Sequence, residues 1–300
     1  MILNPTHTFI ETNGVNLHCA IQGEGPTIIF LHGFPEFWYC WKNQIPEFSK
    51  EFRVVVPDMR GYNTSDKPEG IEQYQLDTLI RDVLGLIKAL GEKQIVLAGH
   101  DWGGIVAWAF AMAYPETLDG LVILNAPHPA LFARELKYNP EQKRASEYIL
   151  MFSSHRGEEI ITRRNYEYLK GIVFEGCSDS AVFDQQDRAM YLEAWSQPGA
   201  ITGGLNFYRA NMDKGRVFTG TSEDLMEGVI PVPTLVIWGE KDAALTLGLL
   251  NGLEKHVQNL AIKRIPEATH WVQHDAPRLV NQYIWDFVAK PSSISTASQS

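Results

Sequence analysis

Three groups far apart in the chain have the types and settings needed for nucleophilic displacement followed by hydrolysis. The first lies in Ile95-Val96-Leu97-Ala98-Gly99-His100-Asp101-Trp102-Gly103-Gly104, which reads as a strand, a sharp turn and a helix start. Gly99 and Gly103 flank Asp101 in the pattern Gly-x-nucleophile-x-Gly. Such a turn brings strand and helix backbones close together, which only glycine tolerates. A carboxylate held there is competent to attack a saturated carbon bearing a leaving group, forming an alkyl ester. Taken alone, Asp101 is as readily an ordinary helix N-cap. It is not alone. Thr234-Leu235-Val236-Ile237-Trp238-Gly239-Glu240-Lys241-Asp242 is a later strand ending in a carboxylate, and Ala268-Thr269-His270-Trp271 follows another. A histidine oriented by an acid is a base for water. Asp242 is the expected acid and Glu240 the runner-up, because Asp242 lies farther into the loop.

Strand-like apolar runs alternate with helical stretches, the pattern of a mostly parallel sheet flanked by helices. Short β-branched runs predict strands at Thr27–Leu31, Arg53–Val56, Gln94–Ala98, Leu121–Leu124, Thr234–Trp238 and Ala261–Ile265. Leu76, Leu79, Ile80, Val83, Ile87 and Leu90 recur at helical spacing up to Gly91. A second helix is expected from Gly103 to about Tyr114, ended by Pro115, and a third around Leu247–Val257. The stretch from Leu124 to Thr234 is far longer than the few tens of residues a βαβ crossover takes. Structureless loops of such length are uncommon. Residues 130–228, which carry many tyrosines, are therefore expected to form a helical lid, with residues 1–129 and 229–290 as the core. The polar end, residues 291–300, is expected to be a disordered tail.

The order nucleophile, acid, histidine is that of the α/β-hydrolase fold. In that fold the loop after the first strong strand supplies one oxyanion-hole amide, and the residue after the nucleophile supplies the other. Phe30-Leu31-His32-Gly33-Phe34-Pro35 thus nominates the backbone N–H groups of Phe34 and Trp102. A cis Pro35 would help aim the Phe34 amide. Asp58 and Asp66 sit among turn residues and are read as turn chemistry. His100 and His128 are read as structural. Phe37, Trp38, Trp108 and Trp271 are aromatic candidates for an apolar pocket wall.

The chain is 45% hydrophobic and 21% charged, an ordinary globular composition. A formal charge of -10 argues against a nucleic-acid partner. No apolar run approaches the length of about 18 residues that a membrane span needs, and the first residues lack the features of a secretory signal. Cys19, Cys40 and Cys177 are scattered, with neither disulfide nor metal spacing. The expectation is a reduced cytoplasmic enzyme with no metal or organic cofactor, whose partners are a small substrate and water, working as a monomer or homodimer.

The runs His32-Gly33-Phe34-Pro35-Glu36, Asp58-Met59-Arg60-Gly61-Tyr62, Gly99-His100-Asp101-Trp102-Gly103-Gly104, Asn125-Ala126-Pro127-His128-Pro129 and Trp238-Gly239-Glu240-Lys241-Asp242 resemble the epoxide hydrolases of the α/β-hydrolase fold, over nearly the whole chain. The resemblance implies two lid tyrosines that hydrogen-bond the epoxide oxygen. One falls in Asn206-Phe207-Tyr208-Arg209. The other falls in Tyr148-Ile149-Leu150-Met151-Phe152, followed here by Ser153-Ser154-His155-Arg156-Gly157 where the family often has a Gln-Glu-Pro-Gly-like turn. It implies that Asp101 attacks an epoxide carbon, that His270 and Asp242 activate water to cleave the ester, and that Trp102, Phe34 and Trp271 contact substrate. Haloalkane dehalogenases share the Asp–His–acid chemistry and are similar at Trp102, but use a second halide donor where this chain has Phe34. Haloacetate dehalogenases follow their nucleophile with arginines, where this chain has Trp102 and Ile105. A binding protein that retains the fold is the remaining alternative.

Overall fold

The computed structural model describes residues 2–213, 216–217 and 228–289. The tail expected at 291–300 lies outside the described residues, as do residues 214–215 and 218–227 of the expected lid. Eight strands form one sheet: β1 (Thr6–Thr12), β2 (Val15–Gln22), β3 (Thr27–Leu31), β4 (Arg53–Pro57), β5 (Ile95–His100), β6 (Leu118–Leu124), β7 (Thr234–Gly239) and β8 (Leu260–Ile265). Their spatial order is β1-β2-β4-β3-β5-β6-β7-β8, antiparallel through β1, β2 and β4 and parallel thereafter. The parallel strands β3, β5 and β7 are buried throughout, as strands covered on both faces must be. That double burial explains why they read as unbroken apolar runs.

The expected strands all form, with ends shifted by a residue or two apart from β6, which starts earlier. The hairpin β1–β2 was not anticipated. Its signal is Asn13-Gly14, both at positive φ (46° and 77°), the pairing that two-residue hairpin turns require. Among helices of six residues or more, α1 (Leu76–Ala89) and α2 (Trp102–Ala113) run where periodicity placed them. Leu247–Val257 does not form the expected helix. It makes two short 3₁₀ turns, Leu247–Leu250 and Leu253–Lys255, parted by Gly252 at φ 88°, which an α-helix cannot continue through.

Between β6 and β7 the chain makes α3 (Pro129–Tyr138), α4 (Pro140–Ala145), α5 (Tyr148–Ser153), α6 (Gly157–Phe174), α7 (Gln185–Ser196) and α8 (Ala200–Asn211). α9 (Pro277–Val288) closes the described fold. Two features hold these inserted helices on the sheet. The Trp195 indole N–H of α7 donates to the Pro35 carbonyl at 2.7 Å. In α8, a Cβ on Gly203 would lie 2.2 Å from the Gly61 carbonyl, and one on Gly204 would lie 2.6 Å from the Phe34 ring. The glycine pair therefore lets α8 descend onto the loops after β3 and β4, and Tyr208 follows Gly204 by one helical turn on the same face.

Candidate active site

The register of the parallel strands assembles the site. Leu31 pairs with Gly99, His100 with Leu124, Leu124 with Ile237, and Gly239 with Ile265. The loops that leave the carboxyl ends of these neighbouring strands therefore carry Phe34, Asp101, Asn125, Asp242 and His270 along one edge. This is the crevice where open α/β sheets bind ligands.

Asp101 occupies the turn between β5 and α2 with φ 52° and ψ -123°, outside the regions an ordinary residue adopts. The glycines around it explain why the turn closes. A Cβ on Gly99 would sit 2.4 Å from the Gly103 carbonyl, and one on Gly103 would sit 2.4 Å from that of Leu31. The Phe34 N–H donates to Asp101 Oδ1 at 2.8 Å. The Trp102 N–H lies in the first turn of α2, where amides have no intrahelical acceptor. The Phe34–Pro35 bond is cis.

Asp101 Oδ2 lies 3.6 Å from His270 Nε2, and His270 Nδ1 lies 2.7 Å from Asp242 Oδ2. Asp242 is itself well held. Its Oδ1 accepts from the Ala244 and Leu245 amides at 2.8 and 2.9 Å, and its Oδ2 accepts from Asn125 Nδ2 at 2.8 Å. Asn125 also bridges the Gly239 backbone, accepting from its N–H at 2.8 Å and donating to its carbonyl at 3.2 Å. His100 Nε2 donates to the His270 carbonyl at 2.9 Å, while its Nδ1 faces Gln273 Nε2 at 3.2 Å. That pair fixes the backbone from which the His270 ring projects.

Charge balance follows from this geometry. Burial opposes charge on both Asp101 and His270, and in each case the charged and hydrogen-bonding neighbours outweigh it. His270, then His100 and the Phe34 amide, hold the Asp101 carboxyl below its ordinary range. Against burial, the charges of Asp242 and Asp101 raise His270 to about 10. His100 is pushed down to about 4 by burial and by His270, so it stays a neutral hydrogen-bonding ring. These neighbours favour an imidazolium between two carboxylates.

Above Asp101 is a cavity of about 330 Å³. Its wall includes Phe34, Phe152, Ile172 and Trp271, with Tyr148 and Tyr208 among the polar groups. The two phenol rings stand 6.2 Å apart, nearly perpendicular. Burial and the Asp101 charge raise both phenols well above their ordinary range. Both are thus protonated donors beside a carboxylate. Each comes from a different inserted helix, Tyr148 from α5 and Tyr208 from α8, and Arg209 of α8 donates to the Ser154 carbonyl at the end of α5 at 2.9 Å and pairs with Glu158 of α6 at 2.6 Å.

The structure brings Asp101, His270, Asp242, Tyr148, Tyr208, Phe34 and Trp271 together. Trp102 is the exception: its backbone is in place, but its indole does not line the cavity. The ring is 1% exposed and stacks edge-on behind Tyr208 at 5.1 Å. It backs the phenol, because α2 turns its first side chain toward α8. Phe37, Trp38 and Trp108 are not in the wall either; the Trp108 indole donates to the Ala126 carbonyl. Glu240 pairs with Arg264 at 2.7 Å, away from His270. Asp58 is taken up by His18, the Trp38 amide and Asn63. His100 is structural, as its sequence setting suggests, while Asn125 and Gln273 carry no expected role from sequence, since each acts through a loop distant in the chain. Among the described residues, no group of three or more His, Cys, Asp or Glu is placed to hold a metal ion.

The sheet order and the strained turn at Asp101 define an α/β hydrolase. The family described as alpha/beta hydrolase fold matches residues 26–277. An AB hydrolase superfamily protein of Bacillus subtilis, YfhM, is 43% identical over 93% of this chain and 96% of its own. Epoxide hydrolase 4 of Homo sapiens is 36% identical over 94% of this chain and 79% of its own. The crystal structure of Bacillus megaterium epoxide hydrolase in complex with an inhibitor superposes with a TM-score of 0.87 at 37% identity, covering 94% of this chain and all of that one. The chain belongs to the alpha/beta hydrolase fold family and, within it, to the epoxide hydrolases.

Proposed function

We propose that the protein converts an apolar epoxide into a vicinal diol through an alkyl ester on Asp101. The observation that carries this reading is the phenol pair, Tyr148 and Tyr208, in one cavity wall with Asp101. When an epoxide opens, the leaving oxygen stays on the substrate as an alkoxide, and protonated phenols donate as that charge grows.

Asp101 attacks one epoxide carbon, breaking its C–O bond, while both tyrosines donate to the oxygen. Esterification removes one of the two negative charges that keep His270 protonated. Its proton is then free to neutralise the alkoxide, leaving an imidazole oriented by Asp242. The imidazole takes a proton from water, and the water oxygen attacks the ester carbonyl. The amides of Phe34 and Trp102 face the tetrahedral oxyanion; removing one such donor typically costs roughly 10²–10³ in rate. Collapse expels the second diol oxygen as an alkoxide that takes the proton from His270, and the Asp101 carboxyl then gives its remaining proton back to the imidazole, restoring the carboxylate and the imidazolium. Water, carboxylate and imidazole complete the cycle, so the proposal requires no metal or organic cofactor. Trp271 and Phe34 contact the substrate.

In this reading residues 130–228 act as the lid and residues 1–129 and 229–290 as the core. The protein works in the cytoplasm, as a monomer or homodimer. The three cysteines are buried and unpaired, and no helix among the described residues is long and apolar enough to cross a membrane. The test is turnover of styrene oxide and an aryl glycidyl ether beside 1-chlorobutane and fluoroacetate. Diol formation, lost in Asp101→Asn and in the Tyr148→Phe/Tyr208→Phe double variant, is the expected result. Halide release that survives loss of both tyrosines would instead make the protein a dehalogenase.

A further inference from the structure

The cavity contains a third phenol that the proposed reaction leaves unused. Asp101, His270, Tyr148 and Tyr208 are engaged by the chemistry. Of the other polar side chains in the wall, Lys241 pairs with Glu267, and Thr269 Oγ1 donates to Asp275 Oδ2 at 2.7 Å. Tyr168 alone is left: it lines the cavity, and its hydroxyl has no hydrogen-bond partner among the described residues.

Its placement is built in. Tyr168 and Ile172 are four residues apart on α6, and both face the cavity, as helical spacing requires. The Trp271 indole N–H donates to the Ile172 carbonyl at 2.7 Å, pinning that turn to the residue after His270. On the other side, Arg164, Asn165 and Tyr166 have φ of 48°, 56° and 62°. This left-handed turn interrupts α6 and resets the phase of the part that carries Tyr168. Non-glycine residues hold such a conformation only where surroundings over-determine it.

The Tyr168 ring meets Phe152 edge-on at 6.0 Å, and Phe152 in turn meets Tyr148 at 5.3 Å and Tyr208 at 5.0 Å. Tyr168 is thus one aromatic ring removed from the pair that would hold the epoxide oxygen. It is placed to meet a substrate a few bonds beyond the reacting carbon. A pure hydrocarbon tail there would displace water from the hydroxyl and return nothing, which a cavity with a polar group penalises.

Resting on the epoxide-hydrolase reading above, we propose that Tyr168 is a specificity-determining residue, donating a hydrogen bond to an acceptor in the substrate tail. The preferred substrates are then terminal epoxides with an ether or ester oxygen near the ring, ahead of equally sized hydrocarbon epoxides.

A matched pair tests this. Phenyl glycidyl ether and 4-phenyl-1,2-epoxybutane differ by one ether oxygen against one methylene. Intrinsic reactivities cancel when the ratio of their kcat/KM values is compared between the wild type and Tyr168→Phe. The ratio is expected to fall about 2- to 13-fold in the variant, the range a single neutral hydrogen bond spans. The loss should lie in the ether, while 4-phenyl-1,2-epoxybutane turns over as well or better. An unchanged ratio in a variant of wild-type thermal stability overturns the assignment of Tyr168 and leaves the epoxide reading intact. A wild type that turns over neither compound overturns that reading, and this inference with it.

Discussion

Gly33→Ala is expected to disable the nucleophile while sparing the fold. Gly33 does not have a positive φ, so alanine brings no backbone strain. Its Cβ would lie 2.2 Å from Asp101 Oδ1, 2.4 Å from Asp101 Cβ and 2.7 Å from Asp101 Cγ, against 3.4 Å for ordinary contact. All three clashes fall on one side chain, which must withdraw by more than an ångström. Asp101 cannot easily follow by bending its backbone, because Gly99 and Gly103 already approach to the limit. The shift also breaks the bond from the Phe34 N–H to Asp101 Oδ1, 2.8 Å in the native chain. A misplacement of this size costs roughly 10²-fold in a reacting pair. The alkylation step should therefore slow by at least about 10²-fold. Single-turnover consumption of epoxide, with enzyme in excess, reads that step directly, and thermal unfolding reports the fold. Alkylation at the wild-type rate would refute the argument that the close approach of β3 and the turn after β5 sets the position of Asp101.

Three further outcomes follow from buried contacts. Asn125→Ala leaves Asp242 Oδ2 without its amide donor, so ester hydrolysis should slow by roughly 10–100-fold, the worth of a hydrogen bond to a charge; rapid-quench kinetics should show alkylation little changed. Arg60 pairs in two places with Asp82, at 2.7 Å each, with 2% and 4% of the two residues exposed. Arg60→Leu strands a buried carboxylate and should cost about 3–5 kcal/mol in urea unfolding. His128 is buried with neither ring nitrogen bonded, 4.5 Å from the His256 ring, and burial, then His256, lowers it to about 3. Its folded pKa lies below the unfolded value of 6.5. Its contribution is therefore complete above that value and lost as pH falls toward 3. His128→Phe should flatten the acid side of the Tm profile, and an equally steep decline in both proteins would argue against it.

Much of the frame was legible because parallel strands buried on both faces must be apolar throughout, and because glycine and proline end helices by steric necessity. Gly91 and Pro115 did so where expected. The elbow at Asp101 was legible for the same kind of reason: Gly99 and Gly103 are needed wherever strand and helix touch. What was hidden depends on register and on side-chain direction. Asn125 reaches Asp242 only because Leu124 lies beside Ile237 in the sheet. Trp102 was expected to touch substrate, but its indole turns behind Tyr208. Tyr168 faces the cavity only through the left-handed turn before it, which no local signal at Arg164 or Tyr166 announces.

The central claim, that Asp101 becomes esterified and His270 frees it, is tested most directly in His270→Gln. The variant keeps the nucleophile, both phenols and the Phe34 amide but lacks the base that activates water. Mixed with styrene oxide and measured by intact mass, it should gain the mass of one epoxide. Peptide mapping should place the adduct on Asp101, and Asp101→Asn should gain nothing. A His270→Gln protein that stays unmodified while the wild type makes diol, or an adduct on any other residue, would contradict the account.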